Sequence, residues 1–332
     1  APELILQAQS ILDISSEILG AALNGEVEKG SLIRDKDRIY LAALYHAERQ
    51  VADRLHALLN SREAFTPIIV DKAIPWAEEK MKLSFAPSQA EALRMALSRK
   101  VSIITGGPGV GKTTIIRALV DVFGVRRLRV ALAAPTGRAA KRMEEATGHE
   151  AGTLHRMLKY LPHAQRFDHG PGNPLEGDIF IFDEVSMIDL PLMDALLGAL
   201  PAAAHVVFVG DVDQLPSVGP GNVLRDMIAS GVVPCQKLET IFRQKAGGSI
   251  VQNAHRVNHG EDLEYPPAEA NSDFYFVGVD HPDQAVATLV DLIRERIPRR
   301  FGFDPMTQIQ VLTPMRRNQL GAENLNAVLQ EA

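Results

Sequence analysis

The chain has 332 residues, 46% hydrophobic and 23% charged, the balance of a folded globular protein with room for two or three domains. A net charge of −6 excludes a global basic field, so any nucleic-acid binding has to come from a local surface. The single cysteine excludes an intramolecular disulfide and disfavours a zinc site, which suits a reducing cytoplasm, and no apolar run approaches the ~18 residues of a membrane span or forms a signal-peptide pattern.

Residues 3–23 place Leu4, Ile5, Ala8, Ile11, Leu12, Ile18, Leu19 and Leu23 at mostly helical spacing, and Asn24-Gly25 is expected to stop that helix. Ile39 to Leu59 predicts a second amphipathic helix, with Leu41, Leu44, Tyr45, Val51, Leu55, Leu58 and Leu59 on one side. His46 and His56 stand alone on that helix and read as surface or core residues. Residues 1–65 are therefore expected to form a small helical accessory domain, and 66–83, with Pro67, Pro75 and Trp76, a connector. The chain opens directly in a helical pattern at Pro2, which suggests a piece of something longer. From Leu83 the pattern alternates. Apolar runs at 101–105, 129–134, 178–182 and 205–209, with helical stretches between them, predict an α/β fold with a parallel sheet covered on both faces. Runs at 274–279 and 307–313, with a helix at about 282–296 between them, suggest that a second α/β unit begins near residue 241. Cys235 lies in the apolar run Gly231-Val-Val-Pro-Cys235 and reads as a core filler.

The most specific motif follows the first of these runs. Val101-Ser-Ile-Ile-Thr105 leads into Gly106-Gly-Pro-Gly-Val-Gly-Lys-Thr-Thr114, which fits G-x-x-x-x-G-K-[ST] between a strand and a helix. Glycines let consecutive N–H groups wrap a phosphate, and the helix N-terminus adds partial positive charge. Lys112 supplies a full charge to the outer phosphates, and the Thr113 hydroxyl is placed to ligate Mg²⁺. Ile179-Phe-Ile-Phe-Asp-Glu184 is a strand ending in two acids. At the carboxyl end of a parallel strand, Asp183 is placed to hold Mg²⁺ and Glu184 to polarise the attacking water as general base.

Gln214, in the loop after the run at 205–209, is a neutral donor suited to sensing a γ-phosphate. In Ala134-Pro-Thr-Gly-Arg-Ala-Ala-Lys-Arg142, Thr136, Gly137 and Arg138 offer a hydroxyl, an N–H and a charge at a helix start, which suits a phosphodiester backbone, and Thr153-Leu-His155 is a second such contact. A helix cap with a solvated basic face is the alternative for each. In Leu238-Glu-Thr-Ile-Phe-Arg-Gln244, Phe242 is placed to stack on a base and Arg243 to act as an arginine finger, with a core phenylalanine beside a surface arginine as the alternative.

Together these stretches resemble the RecD/TraA-type helicases of superfamily 1B, in motif order and over roughly residues 84–330. The resemblance implies that Gln89 reads adenine, that Gly107, Pro108, Gly109, Val110, Gly111, Lys112, Thr113 and Thr114 hold the ATP phosphates, and that Phe242 stacks on the base. It implies catalytic roles for Lys112, Glu184, Gln214 and Arg243, and Mg²⁺ on Thr113 and Asp183. Pro135, Thr136, Gly137, Arg138, Thr153, His155, Ser217, Asn222 and Arg316 would contact DNA. The implied domains are a RecA-like motor over 84–240, with a strand-separating pin at about 159–176, and the start of a second, incomplete RecA-like domain over 241–332. The implied activity is ATP-driven 5′ to 3′ movement on single-stranded DNA, with unwinding at single-strand/duplex junctions in repair or recombination. Two alternatives stay open: a phosphate-loop ATPase acting on protein or a small molecule, and a nucleotide-gated DNA-binding module without unwinding.

Overall fold

The computed structural model describes residues 2–62, 65–238, 248–267 and 272–332. It divides into two compact units, residues 1–246 and 247–332, which are taken separately.

The first unit begins with helices α1 (Pro2–Leu12) and α2 (Ser16–Glu28), a hairpin of β1 (Leu32–Asp35) and β2 (Arg38–Leu41), and the long helix α3 (Ala42–Asn60). Helices α4 (Val70–Met81) and α5 (Pro87–Ser98) precede β3 (Val101–Thr105), α6 (Lys112–Val125), β4 (Val130–Ala134), α7 (Gly137–Thr147), β5 (Ala151–Thr153) and the one-turn helix α8 (Leu154–Met157). A small antiparallel ladder, β6 (Tyr160–Leu161) with β7 (Arg166–Phe167), comes before β8 (Ile179–Phe182), α9 (Leu190–Ala199), β9 (His205–Gly210), α10 (Val223–Ser230) and β10 (Cys235–Lys237).

Six strands form one parallel sheet in the order β10-β3-β9-β8-β4-β5. Its central strands are apolar on both faces, and the two-residue side-chain period sends alternate residues to opposite cores. Val101, Ile103, Phe180, Phe182, Val206 and Phe208 join one core with Val51, Leu55 and Leu58 of α3 and Met193 and Leu196 of α9. Ile104, Ile179, Ile181, Val207 and Val209 face the other, with Leu93 of α5, Ile115, Leu119 and Phe123 of α6 and Met143 of α7. The expected sheet covered on both faces is thus present, with helices packed on each side. Because every strand is parallel, all carboxyl ends lie on one edge, and the loops after β3, β4, β8 and β9 gather there.

Several expectations change. The predicted N-terminal helix is two helices. Asp13 takes φ 53, tolerable for a short polar side chain, and Ser15 is extended, so the chain breaks there. Asn24-Gly25 does not end α2, which runs on to Glu28. The segment from Ile39 starts as strand β2, paired with β1 across the turn at Lys36-Asp37, before α3 begins. Residues 1–65 do not close a core of their own: α3 presents Ala47, Val51, Leu55 and Leu58, spaced on one helical face, to the core beneath the sheet, and its Arg54 pairs with Asp194 of α9. The connector contains α4, which buries Ala73, Ile74 and Ala77 despite Pro75. Cys235 is exposed on β10, at the sheet edge, rather than filling a core.

The second unit is helical among its described residues: α11 (Ser249–Asn258), α12 (Pro282–Asp291), a π-helical turn at Leu292–Arg296, α13 (Ile297–Phe301) and α14 (Ala322–Glu331). The predicted helix at 282–296 is present and extends further, but neither 274–279 nor 307–313 forms a strand. A strand needs a paired neighbour, and no described segment pairs with either run.

Candidate active site

The loop after β3 carries the phosphate-binding pattern, and its backbone explains the glycines. Gly109 and Gly111 stand at φ +80 and +87, where an L side chain is strained. A Cβ on Gly111 would also come within 2.3 Å of Gln89 Nε2. Lys112 opens α6, and its ammonium donates to the carbonyls of Gly106 at 2.6 Å and Gly107 at 3.1 Å. Val110 is buried and pins the loop to the core. Thr105 Oγ1 accepts from Val212 N at 3.2 Å, which ties this strand end to the loop after β9.

Asp183 and Glu184 follow β8. The Glu184 N–H donates to Asp183 Oδ1 at 2.9 Å. Burial pushes the Asp183 carboxyl up to about 6; the bond from the Glu184 N–H opposes that shift, the Glu184 charge adds to it, and Lys112 opposes it. Glu184 itself lies in the left-handed region at φ 53, ψ 39, and its Oε2 is buried with no hydrogen-bond partner among the described residues. After β9, Gln214 Nε2 donates to Oδ2 of the buried Asp211 at 3.1 Å, which fixes the amide in place.

These loops converge on one cleft of about 900 Å³. Gly107, Pro108, Gly109, Gly111, Lys112, Thr113 and Thr114 line it from the phosphate loop, and Asp183, Glu184 and Gln214 from the neighbouring strands. The donor set suits a triphosphate with a hard divalent cation: glycines in positive φ, an ammonium, a hydroxyl and a carboxylate whose ionised form a cation would favour. Gln89 is not part of the lining. It is 4% exposed, its Oε1 accepts from Ala86 N at 3.1 Å, and its Nε2 donates to Val110 O at 3.1 Å, so its amide braces the loop from behind. Phe242 and Arg243 lie outside the described residues.

The expected DNA-contacting residues fall into several loops. Pro135 to Arg138 join β4 to α7. The Thr136 hydroxyl caps α7, accepting from Ala139 N at 3.2 Å, while Gly137 and Arg138 are exposed. The Thr153 hydroxyl caps α8 in the same way, from Arg156 N at 3.2 Å. Both hydroxyls thus serve as N-caps. The His155 ring lies against Tyr160 and Phe167, with centroids 5.9 and 5.6 Å away. The Ser217 hydroxyl donates to the carbonyls of Gly219 and Gly221 at 3.1 and 3.0 Å, and Asn222 precedes α10. Arg316 is in the second unit, where its Nε donates to Glu323 Oε1 at 2.8 Å. The segment expected as a pin holds the β6–β7 hairpin, whose arms enclose the turn Pro162-His-Ala-Gln165, and a glycine- and proline-rich stretch follows the hairpin. Sequence reasoning missed Met81, Leu83, Arg117 and Arg142, which also line the cleft. Arg142 closes the stretch Ala134 to Arg142, and the other three belong to no motif. Arg117 was nonetheless within reach, since it stands four residues after Thr113 and therefore on the same face of α6.

A family model described as an AAA domain matches residues 89–220. The ATP-dependent RecD2 DNA helicase of Deinococcus radiodurans is 37% identical over 293 residues, covering 88% of this chain. The chain is a relative of the RecD proteins. The RecBCD enzyme subunit RecD of Mycolicibacterium smegmatis is likewise 37% identical, over 216 residues and 58% of the chain. The chain spans 38% of the length of each of these two relatives. A Pif1 helicase structure from Candida albicans aligns with 63% of the chain and 55% of its own at 19% identity and a TM-score of 0.43, too slight a likeness to argue from. No helix among the described residues is long and apolar enough to cross a membrane.

Proposed function

We propose that this chain is the ATP-hydrolysing part of a DNA helicase that moves along single-stranded DNA and separates the duplex at a junction, in repair or recombination in the cytoplasm. The observation that carries the reading is the convergence of Lys112, Thr113, Asp183, Glu184 and Gln214 on one cleft at the carboxyl edge of a parallel sheet. Phosphoryl transfer asks the protein mainly to position groups and stabilise charge. Lys112 and the loop N–H groups hold the outer phosphates of ATP. Glu184, with one carboxylate oxygen free of protein donors among the described residues, is the base for the attacking water. Gln214, locked by Asp211, senses the γ-phosphate. Thr113 and Asp183 would hold Mg²⁺, which when bound neutralises charge on the phosphoryl oxygens. Arg243 completes the charge clamp and Phe242 stacks on the base, both by resemblance to the RecD proteins.

The strand path follows the loops after β4, β5 and β9. Exposed Gly137 and Arg138 and the segment from Ser217 to Asn222 offer N–H groups and charge to a phosphodiester backbone, and Pro135, Thr136, Thr153 and His155 flank the same path. A DNA contact for Arg316 rests on resemblance to the RecD proteins alone. The β6–β7 hairpin is the obstacle that excludes the second strand. Movement is 5′ to 3′, as in the family that the motifs resemble. The test is ATP turnover with and without single-stranded DNA. Stimulation by the strand is expected; turnover indifferent to DNA would point to a protein- or small-molecule-directed ATPase.

One observation favours a second reading for the chain alone. A nucleotide cleft beside exposed loops is equally what a module needs that grips and releases a single strand as nucleotide binds, without unwinding. Nucleotide-dependent strand affinity with no unwinding would distinguish it.

A further inference from the structure

We infer that the second unit carries a contact of its own for single-stranded nucleic acid: a patch at α13 in which Phe301 and Phe303 take an unpaired base on a ring face while Arg296 and Arg299 hold the phosphates beside it. This rests on the strand-binding reading above and adds a site that lies wholly within residues 247–332, outside the expected DNA-contacting residues.

Three observations carry it. The first is ring surface that the fold arranges rather than buries. Gly302 ends α13 at φ 71, and the turn there brings Phe303 back beside Phe301, with centroids 5.8 Å apart and planes 19° from parallel. Tyr275 meets Phe301 edge-on at 5.8 Å. Phe301, Phe303 and Tyr275 are 43%, 46% and 45% exposed, so each keeps almost half of its surface open to a ligand. Three such rings side by side are more than the scattered apolar residues of an ordinary surface.

The second is charge on the same turns. Residues 247–332 hold more acids than bases, yet four arginines fall within 294–300. Arg296 is helical at φ −70, ψ −46 and leads into α13, so Arg299 and Arg300, three and four residues on, share its face. Arg300 is committed to the rings. Its guanidinium lies 5.1 Å from the Tyr275 centroid and 5.6 Å from that of Phe301, and it donates to the Tyr275 hydroxyl at 3.4 Å. Arg296 makes no hydrogen bond or ion pair among the described residues, and Arg299 makes only an exposed pair with Glu295 at 3.2 Å, which an incoming phosphate displaces at little cost.

The third is the backbone. The π-helical turn at Leu292–Arg296 interrupts the helix directly before this face, and such turns are rare and recur at functional sites. The chemistry then selects the ligand. The rings ask for a flat partner and the arginines for anions next to it. A single strand supplies both along one chain. A duplex keeps its bases stacked inside, and an acidic peptide has the charge without the flat faces.

The test measures binding of the whole chain to two oligomers of equal length: oligothymidylate, and an abasic deoxyribose-phosphate oligomer that carries the phosphates without bases. Phe303→Ala is expected to weaken oligothymidylate about 10-fold, the scale of one lost stacking contact, and the abasic oligomer by less than about 2-fold. Phe303→Tyr keeps the ring and is expected to bind both as the wild type does. Arg296→Gln with Arg299→Gln is expected to weaken both oligomers and to lower the slope of log affinity against log salt by about 1.4, or about 0.7 for each lost phosphate contact. Unchanged oligothymidylate affinity in Phe303→Ala, or an unchanged salt slope in the arginine variant, would overturn the patch. So would equal weakening of both oligomers by Phe303→Ala with a lower urea midpoint, which would make the rings a packing face. If the unsubstituted chain bound neither oligomer, the strand reading beneath the patch would fail with it, an outcome separable from the others.

Discussion

Glu184 is the residue at which fold and function conflict most clearly. Its φ of 53 places a non-glycine side chain in the left-handed region, at about 1–2 kcal/mol, and its Oε2 is buried without a partner among the described residues. Strain of this kind persists where a site needs it. Glu184→Gln keeps the shape and removes the base, so hydrolysis should slow by at least ~10²-fold while Mg·ATP binding and the urea midpoint hold. Loss of binding along with hydrolysis would instead make Glu184 a structural residue. His205 makes a different residue-scale prediction. It starts β9 with its Nε2 2.7 Å from Ala96 O, between the rings of Phe65 and Phe123, and burial pulls its imidazole down from 6.5 to about 4; the bond to Ala96 opposes this and the Lys100 charge adds to it. Between those two values the unfolded chain binds a proton that the folded chain does not. Stability is therefore full above about pH 6.5 and is lost as the pH falls towards about 4, by up to ~3 kcal/mol. Asp183, held up at about 6, works in the opposite sense in both proteins, so between pH 7 and 4.5 the urea midpoint of the wild type should fall relative to that of His205→Gln. A loss of equal size in the variant would place the acid sensitivity elsewhere.

At the scale of elements, the β6–β7 hairpin has a structural logic of its own. Tyr160 and Phe167 are paired across its ladder with rings 5.3 Å apart, and both rest on His155, so a very short ladder is stiffened by an aromatic cluster at its base. Replacing residues 160–167 by a short Gly-Ser turn should leave DNA-stimulated ATP turnover nearly intact and sharply reduce unwinding, measured on one preparation. A parallel fall in both would assign the hairpin to the fold or the strand grip. The hairpin also marks what sequence could reveal. Strands β3, β4, β8 and β9 were legible because each is an apolar run long enough to be buried on both faces. β5 and β10, at 3 residues each, carry no periodicity; β10 reads Cys-Gln-Lys and owes its place to its neighbour β3. The loop and acid pair were legible because phosphate chemistry demands fixed residue types at fixed spacing. Met81 was not, since a groove wall needs only side chains of suitable shape, here brought to the cleft by α4 from a well separated stretch of sequence. Nor was the committed amide of Gln89, which depends on how the loop folds back over α5.

At the scale of the whole molecule, one sheet with a core on each face carries the site, and its rigidity is what makes the site precise. The stacked rings of Phe180, Phe182 and Phe208 fix β8 against β9 on one face, with Phe182 and Phe208 in register. On the other, Ile115, Leu119 and Phe123 seat α6 so that its N-terminus meets the loop. Lys112 and the acid pair therefore reach one cleft from strands that are not sequence neighbours, and any motor built on this unit depends on that meeting. The most direct measurement is equilibrium binding of Mg·ATP to the chain and to Lys112→Ala, with the fold of each checked by its urea midpoint. The account predicts tight saturable binding by the wild type, at least ~10-fold weaker binding by Lys112→Ala, the scale of one lost charge-assisted contact, and an unchanged midpoint. Equal affinity in the two folded proteins would contradict it, because the nucleotide would then lie somewhere other than the loop that the sheet presents.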